Sequence, residues 1–531
     1  MSSSLADMSR GNPFVHPRDE IVRVMTRMYN RRLTTVSGGN VSIKDSDGTI
    51  WITPGSTDKG DMKREQVVFR RARSTMWEGD LSPSREWPFH TKVLQARPDC
   101  NAVLHAHSQT LVAFSVANQV PDTLVSYQAY HLCGTAALSP YKMPGAPELA
   151  DVICDKIIDH DCVIMENHGV VVCGASLSEC YQKFEALEFC ARAIVKATML
   201  GGNRRLLNKL DVQSENALRE AELKQWKPSF NNRPPITTKE SELRTELVKY
   251  TKRAYDQGLI ITCIGAFSAR VGPTQFLITP QRMDRSTLDL EDIMLVDTKT
   301  TPAKVYGKPG LQPSKEWKLH GAIYKSLPEL QAISLAMPFH FGAYCMTDLD
   351  FPTNVHPETY LVCRDVGRIS FQESQNYDNV VRYFQEDGHH ALIIDNKGVV
   401  VTGQSVHRVY DMLEICESTT NVILDAQSLS GFNLMTNEQI EELDRHYFGI
   451  GDDGSSEDEE EKKDVVQKPK LLKRASLARK SSHGIRIDGH SLALSDDEDF
   501  ELFEKKSGHF LRASLVRKSQ SLFQYGNPSF H

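Results

Sequence analysis

The fold is decided by a stretch that occurs twice, NHGVVV at residues 167–172 and NKGVVV at residues 396–401. The two copies are 229 residues apart. Two further stretches recur in the same order, at offsets of 226 and 230 residues: ITP at 52–54 and 278–280, and PSREW at 83–87 with PSKEW at 313–317. Ordered matches at this long and nearly constant spacing predict two homologous domains in tandem, because solenoid repeats have much shorter periods.

We predict that the two repeats are joined by a linker and followed by a tail. Residues 224–235 are polar and proline-rich, as is typical of linkers. After residue 451 acidic and basic blocks alternate and large apolar residues are few, which predicts disorder. The predicted division is a flexible N-terminus at 1–16, a first repeat at 17–205, a helix and linker at 206–238, a second repeat at 239–432, a short helix at 433–450 and a disordered charged tail at 451–531.

Helical and strand patterns alternate within the first repeat. Residues 19–31 carry apolar side chains at helical spacing, and residues 162–173 form an apolar strand pair that precedes a long helix at 177–200. Residues 101–107 predict another strand, and Ser108 is suited to cap a helix that runs to residue 118. Short strands mixed with helices predict an α/β domain layered around one central sheet.

Composition restricts the class of protein. The chain has 531 residues, of which 40% are hydrophobic, so a wholly disordered protein is excluded. Its net charge of −7 argues against a nucleic-acid partner, which usually requires a basic face. Its 11 cysteines show no regular spacing, which favours free thiols in a reducing compartment. Without a signal peptide or a membrane-spanning stretch, the expected location is cytoplasmic.

Three histidines are candidate metal ligands. In the stretch VLHAH at residues 103–107, His105 and His107 stand two residues apart on a predicted strand, so their side chains point to the same face. His168 follows the next apolar strand, where Gly169 permits a sharp turn. Three imidazoles that leave one coordination position vacant match a catalytic, zinc-like site better than a structural site, which four ligands usually close.

Glu86 is the candidate carboxylate of this site. It precedes His105 by 19 residues and stands at the start of a predicted helix. Beside a metal ion it would be a fourth ligand or a general base. The alternative is a structural glutamate that complements the dipole at the helix N-terminus.

Three turns together form a candidate anion site. Residues 37–42 (SGGNVS), 54–57 (PGST) and 84–85 (SR) combine small residues, hydroxyl groups, accessible backbone amides and one cation. Glycines let backbone N–H groups approach a phosphate closely, and Arg85 could add a bidentate contact.

Taken in order, these motifs resemble the class II aldolase/adducin head-domain family along nearly the whole first repeat. The resemblance implies an α/β fold with two tandem three-layer α/β/α domains. It also implies one divalent metal ion, zinc by preference, held in the first repeat by three histidines. The implied metal ligands are His105, His107 and His168. The implied catalytic residues are Glu86 and Tyr127, of which Tyr127 would be a proton-donating tyrosine that serves a neighbouring subunit. The implied phosphate or substrate contacts are Gly39, Asn40, Gly55, Ser56, Ser84 and Arg85.

The second repeat resembles the same family but lacks the ligand set. Ungapped alignment places Leu335, Met337 and Lys397 at the positions of the three histidines. Ala266 replaces Asn40, whereas Glu316 remains at the position of Glu86. Leucine, methionine and an ammonium group cannot hold a divalent cation, so we predict a noncatalytic copy.

Two functions remain open from the sequence. The first is a metal-dependent aldolase or epimerase that acts on a small sugar, in phosphorylated form or not, through an enediolate. The alternative is an adducin-like scaffold that binds actin and spectrin and keeps a vestigial metal site. The scaffold interpretation adds a cytoskeletal or plasma-membrane location.

The tail and the assembly give two further expectations. Ser476 and Ser514 follow arginines within basic blocks and are candidate phosphorylation sites that would switch binding to a partner or to an anionic membrane surface. The family's enzymes are commonly fourfold rings. A tandem chain would therefore form a homodimer in which the two repeats alternate around a ring.

Overall fold

The computed structural model describes residues 15–210, 212–213, 215–216, 231, 233–386 and 389–449. These residues belong to one compact unit, Met1–Ser455. The candidate phosphorylation sites Ser476 and Ser514 lie outside the described residues, as do the predicted tail and most of the predicted N-terminal segment.

The first repeat contains seven strands and six helices. The strands are β1 Asn40–Lys44, β2 Ile50–Ile52, β3 Val68–Arg70, β4 Ala102–Ala106, β5 Ala137–Ser139, β6 Cys162–Met165 and β7 Gly169–Gly174. The helices are α1 Pro17–Asn30, α2 Trp87–Ala96, α3 Gln109–Val116, α4 Tyr127–Cys133, α5 Pro147–Ile157 and α6 Leu177–Leu200. The sheet order is β3-β2-β1-β4-β7-β6-β5. Neighbouring strands are antiparallel except β5 and β6, which are parallel.

Helices cover both faces of this sheet. Helices α2 and α5 pack on one face through a core that contains Phe89, Ile153 and Val103. Helices α1 and α6 pack on the other face, where Leu104 and Val172 are buried. Because successive residues of β4 enter different cores, both faces of the strand are buried, and the strand is continuously apolar apart from His105. The predicted three-layer α/β/α fold is confirmed.

Ser108 precedes α3 as predicted, but its side chain makes no capping bond there. Its hydroxyl instead donates a hydrogen bond of 2.8 Å to a carboxylate oxygen of Glu188 on α6. That oxygen also accepts the backbone N–H of Leu111 in the first turn of α3, at 3.2 Å. The predicted side-chain cap is therefore wrong: a buried glutamate from a distant helix satisfies the open N–H group.

The second repeat has the same topology with one additional edge strand. Its strands are β8 Ala266–Arg270, β9 Gln275–Ile278, β10 Met294–Asp297, β11 Lys304–Tyr306, β12 Ala332–Ala336, β13 Val366–Ile369, β14 Ala391–Ile394 and β15 Gly398–Gly403, in the order β11-β10-β9-β8-β12-β15-β14-β13. Its helices are α7 Thr238–Asp256, α8 Trp317–Ser326, α9 Gly342–Cys345, α10 Pro357–Cys363, α11 Tyr377–Glu386 and α12 Val406–Leu429, and α13 Asn437–Leu443 follows.

The two repeats share a hydrophobic core. A single buried cluster contains residues of α1 and α6 together with residues of α7 and α12. At its edge Glu185, which is 2% exposed, accepts hydrogen bonds from the backbone N–H of Thr262 and the hydroxyl of Tyr255. Arg27 forms a salt bridge with Asp284 across the same boundary. Because these charged groups find their partners in the other repeat, neither repeat has a self-sufficient surface at this boundary.

The helices of the described residues include none with the length and apolarity that crossing a bilayer requires. All 11 cysteines lie within the described residues, buried and without disulfide bonds.

Candidate metal centre and active site

His105 and His107 lie at the end of the central strand of the first sheet. β4 runs between β1 and β7, and His105 pairs with Asn40 on one side and Val171 on the other. The ring of His105 is buried and makes an edge contact with Phe89 of α2. His107 follows the strand, and the two ring centroids are 4.6 Å apart. The predicted common face of the two histidines is therefore observed, and it faces α2.

His168 reaches the same point from the tight turn between β6 and β7. The turn places Asn167 in the left-handed region, with φ of 53°. A Cβ atom on Gly169 would lie 2.5 Å from the carbonyl oxygen of Ala106 and 2.8 Å from the ring of His107. Only glycine fits there, because the turn passes so close to the end of β4.

The three imidazoles converge on one point. Their potential ligand atoms lie within 4.8 Å of one another. Nδ1 of His105 lies 2.9 Å from the carbonyl oxygen of Val170, which only accepts, so Nδ1 carries the proton and Nε2 keeps its lone pair. Nε2 of His105, Nε2 of His107 and Nδ1 of His168 are buried without hydrogen-bond partners.

Burial keeps the rings of His105 and His107 neutral. Burial, together with His105 and His168, lowers the pKa of His107 to about 3. Burial is also the main cause that lowers the pKa of His105. Neutral imidazole is the form that binds metal ions, so the donor set fits a divalent cation.

Glu86 stands directly against the histidines. One carboxylate oxygen lies 3.3 Å from Nε2 of His105, and the other lies 3.3 Å from Nε2 of His168. Burial alone would raise the pKa of Glu86. The pull of His105 and the hydrogen bonds from His168 and Asn40 outweigh burial and hold that pKa well below its usual range. Glu86 is the N-cap of α2, but its side chain makes no capping bond, which argues against the purely structural interpretation.

A hydrogen-bonded chain behind Glu86 fixes its orientation. The amide nitrogen of Asn40 donates to Glu86 at 2.7 Å, so the amide oxygen of Asn40 accepts from Nε2 of His90. Nδ1 of His90 in turn accepts from the hydroxyl of Ser42, at 2.8 Å. Burial lowers the pKa of His90 to about 3, and His105 adds to the effect, so His90 acts as a neutral hydrogen-bonding group.

The family model described as class II aldolase and adducin N-terminal domain matches residues 19–195 and, a second time, residues 245–424. Together the two matches cover well over half of the chain. The chain belongs to this family.

Characterised members of the class II aldolase and adducin N-terminal domain family show what the chain is similar to. The 3-oxo-tetronate 4-phosphate decarboxylase of Escherichia coli O6:H1 is 31% identical over 182 residues, which are 33% of this chain and 85% of the relative. The L-fuculose phosphate aldolase of Methanococcus maripaludis is 32% identical over 173 residues, 33% of this chain and 93% of the relative. A solved structure named L-fuculose 1-phosphate aldolase is 23% identical, with a TM-score of 0.36 and coverage of 40% and 96%.

These class II aldolase relatives bear on the enzymatic interpretation. The scaffold function as a whole stays a prediction. The same holds for binding of actin or spectrin, attachment to a membrane surface and the cytoskeletal location. The cytoplasmic location also stays a prediction.

The residues of the candidate anion site come together at one end of the sheet. The backbone N–H of Gly55 donates to the carbonyl of Ser82, and that of Ser84 donates to the carbonyl of Thr53. These bonds join the two loops that carry Gly55, Ser56, Ser84 and Arg85. Thr53, at the start of the first loop, is hydrogen-bonded to Val41 of β1, which follows Gly39 and Asn40. Arg85 is exposed, whereas the Asn40 side chain is committed to Glu86 and His90.

Tyr127 is directed at the second repeat. Its backbone N–H donates to the carbonyl of Asn396 at 2.8 Å, and its hydroxyl donates to Asn216 at 2.7 Å. Its ring packs on Phe371. The structure thus brings Tyr127 to the position in the second repeat that corresponds to the metal centre, whereas Glu86 and the three histidines converge in the first.

The strand register confirms the alignment of the second repeat with the first. Ala266 pairs with Leu335, as Asn40 pairs with His105, and Leu335 pairs with Val400, as His105 pairs with Val171. Lys397 takes the turn position of His168, and its ammonium group lies 3.1 Å from Glu316. Within the described residues, the one group suited to hold a metal ion is the trio of histidines in the first repeat.

Sequence reasoning missed His90, and it assigned Ser42 to the candidate anion site rather than to the support of Glu86. A signal was present: the stretch EWPFH at residues 86–90 recurs as EWKLH at residues 316–320, so the histidine is repeated with the glutamate. In the second repeat His320 still bonds Ser268, at 2.7 Å, but its Nε2 has no partner because Ala266 lacks the amide of Asn40. The repeated histidine therefore supports the glutamate only in the first repeat.

Proposed function

We propose that the first repeat is a divalent-metal-dependent lyase that cleaves a carbon–carbon bond beside a carbonyl group in a small phosphorylated sugar or sugar acid. The observation that carries this proposal is the convergence of three imidazoles, whose potential ligand atoms lie within 4.8 Å of one another, beside a deprotonated glutamate. The names of the relatives, which include an aldolase and a decarboxylase acting on phosphorylated compounds, support the substrate class.

The chain's own residues have distinct roles in this proposal. His105, His107 and His168 would hold the ion, with His105 oriented by the carbonyl of Val170. A divalent ion bound there acts as a Lewis acid that polarises a substrate oxygen and stabilises the negative charge that develops on it. Glu86 moves the proton, because its carboxylate is held deprotonated and lies at the same point. Asn40 and His90 position Glu86 rather than react.

The anion site would receive the phosphate group. Gly39 and Gly55 offer close approach to the backbone, Ser56 and Ser84 offer hydroxyls, and Arg85 is an exposed guanidinium next to them. The opposite end of the substrate then lies toward Glu86, since Glu86 directly follows Arg85 in the chain.

A substrate panel tests the proposal. We expect the purified full-length chain to cleave at least one four- to six-carbon keto-sugar phosphate or 3-oxo sugar-acid phosphate. Chelation should abolish the activity and added Zn²⁺ or another divalent ion should restore it, because imidazole ligands bind such ions reversibly. The measurement is product formation by mass spectrometry with matched unphosphorylated substrates as controls. Turnover that survives complete metal removal would contradict the proposal.

An asymmetry between the two repeats supports a proposal for how chains assemble. In the chain, the start of α4 covers the turn that carries Asn396 and Lys397, which are 3% and 1% exposed. The equivalent turn of the first repeat leaves Asn167 exposed, and the equivalent helix start in the second repeat leaves Pro357 and Glu358 exposed. We propose that a second copy of the chain closes both positions at once, forming a twofold dimer of tandem chains in which four repeats alternate.

Light scattering should therefore give a mass near 120 kDa, twice the 59.8 kDa of the chain. Pro357→Arg should lower the mass toward a single chain, because a guanidinium would be forced against the turn at Asn167. Pro147→Arg is the matched control, since Pro147 is also an exposed proline in the first turn of a helix. A 59.8 kDa particle at micromolar concentration would show that the wild-type chain does not pair.

A further inference from the structure

The second repeat has a covered counterpart of the metal centre, which we call the pseudo-site: Glu316, Leu335, Met337 and Lys397. Two of its members are buried more deeply than the histidines they replace; Met337 is 5% exposed, whereas His107 is half-buried. Lys397 is 1% exposed, whereas the side chain of His168 is 12% exposed. Something therefore fills the space over the pseudo-site that is open in the first repeat.

A cation has replaced the histidine ligand in the pseudo-site, and it is held by two carboxylates. The ammonium of Lys397 lies 3.1 Å from Glu316 and 3.7 Å from Glu215. Glu316 is the counterpart of Glu86, but none of the described residues supplies a second carboxylate to His168 as Glu215 does to Lys397. A buried ammonium is stabilised by carboxylate partners, and Glu215 supplies the second of them.

Glu215 belongs to the segment that leaves the first repeat, which we call the connector: residues 203–210, 212, 213, 215 and 216. The connector is attached to the second repeat along its length. Asn203 bonds the carboxylate of Asp348 twice, at 2.9 Å, and Arg205 forms a salt bridge with Asp395. The amide of Asn396 donates to the carbonyl of Arg205 at 2.8 Å.

Three connector residues, Leu207, Val212 and Glu215, are buried next to the pseudo-site, whereas residues 208–210 and 213 are exposed. Leu207 and Val212 are 5% and 0% exposed, in a cluster with Tyr127 and Phe371. Directly after Glu215, the side chain of Asn216 accepts the hydroxyl hydrogen of Tyr127. The segment predicted as helix and linker, residues 206–238, thus begins along the surface of the second repeat, and its Glu215 carboxylate lies 3.7 Å from the ammonium of Lys397.

We propose that the pseudo-site is a binding site for the chain's own connector, with Glu215 as an internal anionic ligand and Lys397 as the cation that receives it. The ammonium stands at the turn position of a histidine that would hold a metal ion in the first site, and the connector takes the place of a small-molecule substrate. The second repeat consequently holds the connector and Tyr127 of α4 in one position. This inference does not depend on the chemistry proposed for the first repeat.

Hydrogen exchange of the full-length chain tests this inference. Glu215→Gln keeps the shape of the side chain and removes its charge, and Glu242→Gln makes the same change at an exposed glutamate of α7. We expect backbone amides in peptides that contain Leu207, Val212 and Glu215 to exchange at least about tenfold faster in Glu215→Gln, since a buried ion pair has lost one partner. Strands β4 and β7 of the first repeat should exchange as in the wild-type chain.

Lys397→Met and the double variant complete a mutant cycle. If Glu215 and Lys397 act as a pair, the effect of both changes on connector exchange will be smaller than the sum of the two single effects. Exchange in Glu215→Gln that equals the Glu242→Gln control overturns the inference, as do fully additive effects. Should Lys397→Met fail to fold, the comparison of Glu215→Gln with its control still decides the question. Metal content, measured on the same samples, separates this outcome from that of the proposed lyase.

Discussion

Purified full-length protein is expected to contain about one divalent metal ion per chain, and the His105→Ala variant almost none. His105 is the most constrained of the three ligands, since its ring is buried and its Nδ1 is held by the carbonyl of Val170. Loss of an outer-shell partner of a metal ligand already weakens metal binding by about 10- to 100-fold, so loss of the ligand itself should exceed that. Activity should fall with the metal. Elemental analysis and turnover of the same sample are the measurements.

The control is His446→Ala, which removes an exposed imidazole from the described C-terminal segment and should leave metal content unchanged. Full-length variants are preferable to isolated repeats because the repeats share one core. If the protein bound a second ion per chain and His105→Ala retained it, that ion would bind at a site other than the three histidines. Full metal occupancy in His105→Ala would remove His105 from the ligand set.

Glu86→Gln is expected to lower kcat by about 10²- to 10⁴-fold, the usual contribution of a positioned general acid or base. Metal content should stay near the wild-type value, because the three imidazoles are untouched. Glu148→Gln, at an exposed position in the first turn of α5, is the matched control and should not change kcat. Parallel losses of metal and activity in Glu86→Gln would instead identify Glu86 as a required ligand.

Asn40→Ala adds a graded comparison to the same experiment. It installs the residue that the second repeat carries at Ala266 and removes the hydrogen bond that orients Glu86. Since Glu86 itself remains, we expect a smaller fall in kcat, about 10- to 100-fold. A loss as large as that of Glu86→Gln would indicate that Asn40 does more than position the carboxylate.

Local pattern predicted a large part of the candidate site. The common face of His105 and His107 follows from the two-residue period of a strand, and the turn at Gly169 follows from its sequence. Both hold in the structure because β4 is central and its pairing is regular. The Ser108 cap failed for the opposite reason: Glu188, which supplies the acceptor, lies on a helix 80 residues away in sequence.

By itself, the sequence determined the tandem architecture and the layered α/β fold, and it predicted a donor set of three histidines in the first repeat that the second repeat lacks. These depend on residue type, order and short-range period, all of which are visible along a single chain. Only the tertiary structure decided that His105 presents Nε2, that His90 and Asn40 orient Glu86, that Tyr127 faces the second repeat, and that Glu215 meets Lys397. Each of these needs two distant segments to be packed together, and no local preference specifies which buried polar groups will meet.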